Sequence, residues 1–370
     1  MRPTHVEIDL SNIAYNLDQI KRKVSPAKIM AVVKANAYGH GAVEVAVTAL
    51  KSGASYLAVA LIEEGLELRN AGITAPILVF GGELEYQIDD FLKAGLHITI
   101  CSKKFAEVLS REALKHNCRM AAHVKVDTGM GRVGVPWQDA LDFICDIHTL
   151  EGLEVKGIYT HFATSDERDK TFALSQLNRF HQVLEWLRQH SIRIPMVHAA
   201  NSGAIIDIPH SYFNIVRPGI MMYGYYPSNE TSESVPIKPA MTFKSKISYI
   251  KDVPKGTPLS YGRTYITKKA SRIATIPVGY ADGYNRLLSN RGKVVVNGKL
   301  FPVVGRVCMD QILIDLENNR TIREGDEAVL FGRQGAAEFS VREICGLLNT
   351  IPYEVCCWVS KRVPRHYQGD

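Results

Sequence analysis

The chain has 370 residues, 46% of them apolar, and a formal net charge of +6. That length predicts two domains, or one large barrel with an addition, and the apolar content supports a sizeable core. Lysines and arginines are scattered, without the charge runs or interleaved aromatics of a nucleic-acid surface, and no stretch approaches the ~18 apolar residues of a membrane span.

Met1–Leu10 carries charge and lacks the apolar core of a signal peptide. The seven cysteines, Cys101, Cys118, Cys145, Cys308, Cys345, Cys356 and Cys357, form no C-x-x-C pair and no zinc spacing. The expectation is a cytoplasmic protein with reduced thiols, no metal and no membrane or nucleic-acid partner.

In chain order, Ser11 reads as the N-cap of a helix whose Ile13, Leu17, Ile20 and Val24 share a face. Short apolar strands are predicted at Lys28–Val33, Tyr56–Ala60, Pro76–Phe80 (closed by Gly81-Gly82) and His97–Ile100. Four more follow at Met120–Val126, Val155–Tyr159, Met196–His198 and Tyr212–Val216. Helical patterns lie between them, at Val43–Ser52, Glu63–Asn70, Tyr86–Ala94, Lys103–His116, Trp137–Thr149, Lys170–Gln189 and just after Ser202.

This alternation predicts α/β architecture. An open doubly wound sheet shares the pattern. A closed (β/α)8 barrel is favoured because Lys34, Arg132, His161, Asn201, Ser202 and Arg217 all follow strand ends, the face on which barrel sites are built.

Composition changes near Pro227–Pro239, and the domains are drawn at residues 1–235 and 236–370. Beyond the change the period becomes two, with strands predicted at Thr242–Lys251, Arg272–Pro277, Lys293–Val296, Lys299–Val304, Ile312–Leu316 and Ala328–Phe331. Asn297-Gly298 marks a tight hairpin. Val341–Leu348 reads as the one helix of a mostly antiparallel β domain.

Lys34 stands at the carboxyl end of a buried strand, inside Ala-Val-Val-Lys-Ala-Asn-Ala-Tyr-Gly-His-Gly at 31–41. Desolvation there makes a lysine amine a nucleophile; a stem reaching to water is the other reading. Ser202 and the turn Arg217-Pro218-Gly219-Ile220 follow strands seven and eight, the usual barrel phosphate site.

The 31–41 segment resembles the cofactor-lysine segment of alanine racemases, a fold-type III family that binds pyridoxal phosphate. The resemblance continues at Lys125–Gly134, Asn201–Gly203, Val216–Gly219, Ser260–Tyr265, Val278–Arg286, Arg306–Gln311 and Tyr353–Arg365, almost the whole chain. It implies that Lys34 holds the cofactor as a Schiff base. It implies that Tyr38, Ser202, Gly219, Ile220 and Tyr353 bind the phosphate, with Asn201 beside them.

By the same resemblance Arg217 faces the pyridine nitrogen. Arginine cannot accept a proton, so the ring stays a weaker electron sink and transamination is disfavoured. Arg132 approaches the cofactor phenolate and the substrate carboxylate, and Lys125 matches a lysine that is carbamylated in some members. Racemisation needs a base on each face of the substrate carbon. The resemblance assigns Lys34 to one and Tyr261 to the other, with His161 linking Tyr261 to Arg217. Tyr280 and Met309-Asp310 match groups of the second subunit that meet the substrate.

The resemblance thus implies a homodimeric isomerase that interconverts L- and D-alanine and supplies D-alanine for peptidoglycan. Serine racemisation shares every motif. A barrel-only pyridoxal-phosphate-binding protein would lack Tyr261, Tyr280 and Met309. A decarboxylase on the same plan would want an acid in place of Arg217.

Overall fold

The structure, a computed structural model, describes residues 2–81 and 84–369. It divides into two units, one of Asn12–Ala37 with Gly41–Lys238, the other of Met1–Ser11 with Tyr38–His40 and Pro239–Asp370.

The first unit is a barrel of eight parallel strands. Their order is Ile215–Val216, Lys28–Val32, Tyr56–Val59, Ile77–Val79, His97–Ile100, Met120–Asp127, Leu153–Tyr159 and Met196–His198. Neighbours in space are neighbours in sequence, whereas a doubly wound sheet reverses its order part-way. Just past the end strands, the Arg217 N–H donates to Ala200 O at 2.9 Å and draws the ring together. The strands are buried on both faces, as in Tyr56–Val59 and Ile77–Val79, because side chains fill the inside and helices cover the outside. Helix Ala42–Lys51 buries Ala42, Val45, Ala46 and Ala49 on one stripe, at helical spacing.

Local differences from the sequence reading have physical reasons. The first helix, Leu10–Val24, begins one residue before Ser11, so Ser11 is no N-cap; its hydroxyl donates to Asp9 Oδ1 at 2.5 Å. The eighth strand shrinks to Ile215–Val216 because Tyr212 is drawn away, donating from its hydroxyl to Ile205 O at 2.5 Å. Gly82, expected to close the third strand with Gly81, lies outside the described residues.

The second unit is mostly antiparallel. Met241–Lys246 pairs with Glu327–Gln334 and with the N-terminal strand His5–Asp9. Arg365–Gln368 adds in parallel on the far side of His5–Asp9. Residues 2–11, read from sequence with the barrel, therefore group with the C-terminal sheet. The expected strand Thr242–Lys251 is two strands: Met241–Lys246 stays in this sheet, and Tyr249–Val253 pairs with Ser271–Ile276 in another. The hairpin at Asn297-Gly298 is present, with φ of 46° and 71°, the two positive values a tight turn of this kind needs. A second helix, Pro352–Cys357, follows Val341–Leu348; Pro352 occupies its first position, where no donor is required.

Candidate active site

Of the residues singled out in the sequence, Lys34, Lys125, Arg132, His161, Asn201, Ser202, Arg217, Gly219 and Ile220 belong to the barrel unit. Tyr38, Tyr261, Tyr280, Met309, Asp310 and Tyr353 belong to the other.

In the barrel, Lys34 leaves the first strand into a turn that sequence reading missed. Ala35, Asn36, Ala37 and Tyr38 are all left-handed, with φ of 53°, 51°, 51° and 52°. L-residues resist this by about 1–2 kcal/mol each, so the turn must be held. Ala35 N–H donates to Glu64 Oε1 at 2.5 Å, and Ala37 N–H to Val33 O at 2.9 Å. The Asn36 carbonyl takes Gly41 N–H at 3.0 Å, and its side chain takes Ala42 N–H at 2.9 Å. Asn36 thus ties the turn to the next helix and fixes the direction in which the chain leaves Lys34.

Two strands around the barrel from Lys34, Asn201, rather than Ser202, caps the helix Ser202–Asp207. Its side chain accepts from Ala204 N–H at 3.1 Å and from the Ser165 hydroxyl at 2.7 Å. The Ser202 hydroxyl is left to accept Gly219 N–H at 3.0 Å and Met221 N–H at 3.4 Å. Gly219 therefore does not present its amide outward in this structure. Ile220 starts the one-turn helix Ile220–Tyr223, where a first-turn amide has no partner inside the helix.

Arg132 is exposed, on a loop folded around Asp127. The Asp127 carboxylate accepts Gly129 N–H at 2.9 Å and Gly131 N–H at 3.0 Å. A side chain on Gly134, at φ +138°, would stand 2.7 Å from Asp127 N, so only glycine closes this loop. Lys125 is buried in the strand before it. Burial, then the charges of Arg132 and Arg217, pull its ammonium down to about 8.

Arg217 is almost wholly buried, yet among the described residues it has no carboxylate partner within salt-bridge distance. Its Nη2 donates to Thr160 O at 2.8 Å and to Ala199 O at 2.9 Å, and Nη1 to His198 Nδ1 at 2.8 Å. Nη2 also lies 3.5 Å from His161 Nδ1. Burial draws the guanidinium down to about 10, so it keeps its proton at neutral pH. His161 is held well below the usual histidine range, by burial first and then by Arg217, Lys125, Arg132 and Lys34. Four cations act on one imidazole at the carboxyl ends of the strands, and Asp127 is engaged by its own loop. Such a site attracts anions.

The second unit presents its residues on turns. Strands Pro258–Leu259 and Tyr265–Ile266 pair, and Tyr261 stands on the single helical turn Tyr261–Arg263 between them. Ser260 is held at φ +62° while its hydroxyl donates to Arg306 O at 2.8 Å. Tyr261 is left 73% exposed. Tyr280 and Met309 are exposed too, on loops joined by Tyr280 N–H to Cys308 O at 3.0 Å and Ala281 N–H to Met309 O at 3.1 Å.

Arg362 braces both loops. Its Nη2 donates to Asp310 Oδ1 at 2.6 Å, and its Nε lies 2.8 Å from the buried Asp282. Sequence reading passed over Arg362 and Asp282, whose pairing spans distant segments. Tyr38 and Tyr353 have ring centroids 5.8 Å apart. Gly39 beside them has no room for a side chain, which would meet Cys356 O at 2.4 Å.

Cys101, Cys118, Cys145, Cys308 and Cys345 are free thiols, and no helix among the described residues is long and apolar enough to cross a membrane.

Comparison with known proteins agrees across the chain. The family profile described as "Alanine racemase, N-terminal domain" matches residues 8–227, and "Alanine racemase, C-terminal domain" matches residues 240–367. The chain is 48% identical over 369 residues to "Alanine racemase 2" of Caldanaerobacter subterraneus subsp. tengcongensis, covering 99% of this chain and 95% of that one. It superposes on the structure of the alanine racemase of Clostridium difficile 630 with a TM-score of 0.95 at 40% identity, covering 100% and 97% of the two chains. For the Bartonella henselae alanine racemase with covalently bound pyridoxal phosphate, the TM-score is 0.90 at 30% identity, covering 100% of both chains.

Proposed function

Because the chain belongs to the alanine racemase family, we propose that Lys34 and Tyr261 are the proton-transferring residues with which it interconverts L- and D-alanine. The protein is a pyridoxal-phosphate-dependent isomerase, and its product supplies D-alanine for peptidoglycan. The observation that carries the site assignment is that Lys34, His161 and Arg217 all follow carboxyl ends of barrel strands, with Arg217 Nη2 3.5 Å from His161 Nδ1 and Lys125 and Arg217 against one Tyr159 ring. The cofactor's phosphate and phenolate and the substrate's carboxylate are the anions such a site suits.

When bound, the cofactor withdraws electrons from the substrate's α-carbon and makes its proton removable. The protein does the rest. Lys34 would hold the cofactor through its amine and, with that amine free, would exchange a proton at one face of the substrate's α-carbon. Tyr261 serves the other face. Its exposure on a turn of the second unit fits a residue delivered to another copy's site. The unit containing residues 236–370 then completes the partner's active site, and the functional species is a two-fold homodimer.

By the family resemblance Ser202 and Ile220 would bind the phosphate, as would Tyr38 and Tyr353, Gly219 joining once Ser202 turns its hydroxyl to the ligand; Asn201 fixes the start of the helix Ser202–Asp207. Arg217 faces the ring nitrogen as a cation that cannot take up its proton. Arg132, steadied by Lys125 once that amine is carbamylated, takes the phenolate and the substrate carboxylate, and His161 links Arg217 to Tyr261. Tyr280, Met309 and Asp310 narrow the mouth. The reaction is placed in the cytoplasm.

A panel of L-amino acids, with products resolved by chiral chromatography, tests the substrate. D-alanine should dominate. D-serine as the major product would replace the substrate, because a small apolar pocket rejects an added hydroxyl poorly. No D-product from any member of the panel overturns the activity.

A further inference from the structure

Four histidine and tyrosine side chains inside the barrel take no part in the reading above, although they lead straight to Arg217. His198 Nδ1 accepts from Arg217 Nη1 at 2.8 Å. His198 Nε2 lies 3.0 Å from His123 Nδ1. Beyond His123 come His97, with ring centroids 5.7 Å apart, and Tyr56, whose hydroxyl lies 2.7 Å from His97 Nδ1. Seventh, fifth, fourth and second strands contribute these residues in turn. Room for the column is provided by Gly157: a Cβ there would stand 2.2 Å from His123 Nδ1.

Proton positions along the column follow from one fact. Arginine has donors only and keeps its charge. His198 Nδ1 must therefore offer a lone pair, which makes His198 neutral with its proton on Nε2. That proton points at His123 Nδ1, which must be an acceptor in turn. His123 then carries its own proton on Nε2, a fully buried atom with no hydrogen-bond partner in the structure. Neither ring is free to turn. His198 stacks on Tyr159, centroids 4.7 Å apart and planes 8° apart, and the Tyr159 hydroxyl is tied to Thr99 Oγ1 at 2.9 Å.

We propose that His198 and His123 are a tautomer-locked column that holds Arg217 in one orientation, which makes His123 a positioning residue for the reaction. His198 points its lone pair at the guanidinium, and His123 points its own at His198 and so holds that ring in place. Together with the Thr160 and Ala199 carbonyls, His198 stands in for the carboxylate that this buried charge lacks among the described residues. These bonds engage three of the five N–H groups of Arg217, which leaves two for a ligand. The inference rests on the assignment of Arg217 to the cofactor's ring nitrogen. Fixing that donor's direction is what keeps the ring a weak electron sink from one turnover to the next.

The test has two parts. Nitrogen-15 NMR of labelled histidine, on the protein with and without cofactor, reads the tautomers without any substitution in the column. His198 and His123 should both carry the proton on Nε2, and a proton on Nδ1 of either overturns the column. His123→Phe removes the acceptor at similar size, and His123→Gln restores one. The phenylalanine variant should lose about tenfold in kcat, the cost of leaving one buried donor, His198 Nε2–H, without its partner. Its KM should stay within about twofold, and it should form more pyridoxamine per turnover. The glutamine variant should recover most of the loss. Should His123→Phe not fold, the tautomers alone decide. Correct tautomers with unchanged kcat and unchanged pyridoxamine in the folded variant would overturn the positioning role. Failure of the Arg217 assignment reads differently, through Arg217→Glu, described below.

Discussion

Lys125 and Arg217 lie against the same aromatic ring: Lys125 Nζ is 5.7 Å and Arg217 Cζ 5.3 Å from the centroid of Tyr159. Two cations share a buried neighbour, with Arg132 acting on Lys125 as well. With Lys125 drawn down to about 8, roughly one such amine in ten is neutral at pH 7, against fewer than about one in a thousand for an ordinary lysine. A neutral amine is what carbon dioxide adds to. The carbamate would turn two repulsions into attractions. Carbon-13 bicarbonate should therefore give a carbamate NMR signal that Lys125→Met abolishes, and that variant should bind alanine about tenfold more weakly through a loosened Arg132. An unlabelled protein, with Lys125→Met at wild-type KM, rules the modification out.

Lys34 is the expected attachment point of the cofactor. Borohydride reduction of the holoenzyme followed by peptide mass analysis should place the label on Lys34, and Lys34→Ala should lose both the label and racemisation. Label on another lysine overturns the assignment.

Arg217 is expected to restrain the cofactor. Arg217→Glu would supply a proton acceptor where a donor stood, so racemisation should slow while pyridoxamine accumulates over many turnovers. It also places a carboxylate against the lone pair of His198 Nδ1, and cofactor content should be measured alongside. A variant that retains cofactor, races at the wild-type rate and forms no pyridoxamine would falsify this role, whatever the tautomers of the histidine column.

Sharing of sites between subunits is tested by mixing. Lys34→Ala and Tyr261→Ala homodimers each have two broken sites. In a mixed dimer one site combines an intact Lys34 with the other chain's intact Tyr261, and the second carries both lesions. Refolding the two inactive proteins together should restore part of the activity. Heterodimers detected by mass spectrometry without activity would place both residues in one chain's site.

Acid should destabilise the barrel. His97 is held down to about 4 by burial first and then by Lys156 and Arg69, and burial likewise holds His123, His161 and His198 well below the usual range. Unfolded, each takes a proton below about pH 6.5; folded, none does until lower pH. The unfolded state then binds more protons as pH falls, so stability falls too, by about 1.4 kcal/mol per pH unit for each histidine. Urea midpoints should drop between about pH 6.5 and 5, and His123→Phe should lower that slope by about a quarter. A midpoint independent of pH in this window would contradict the neutral burial of these residues.

The sequence by itself determined the alternation of strand and helix, the strand end carrying Lys34, and the Asn297-Gly298 hairpin. Each is local: burial on both faces, a period of two or 3.6, a turn that demands positive φ. It also showed the family, because motifs are strings of adjacent residues. Tertiary structure alone decided the rest. Val6 and Ile8 alternate with polar neighbours as a strand should, but nothing local says that His5–Asp9 joins strands more than 200 residues away. Nothing local says that Ala35–Tyr38 turn left-handed, since alanine and tyrosine avoid that region unless Glu64 and the next helix hold them there. His123 and His198 each read as a lone histidine in an apolar strand. Only barrel closure, which sets the register of the fifth strand against the seventh's neighbours, brings Nδ1 of one to Nε2 of the other and lets a single arginine dictate where both protons sit.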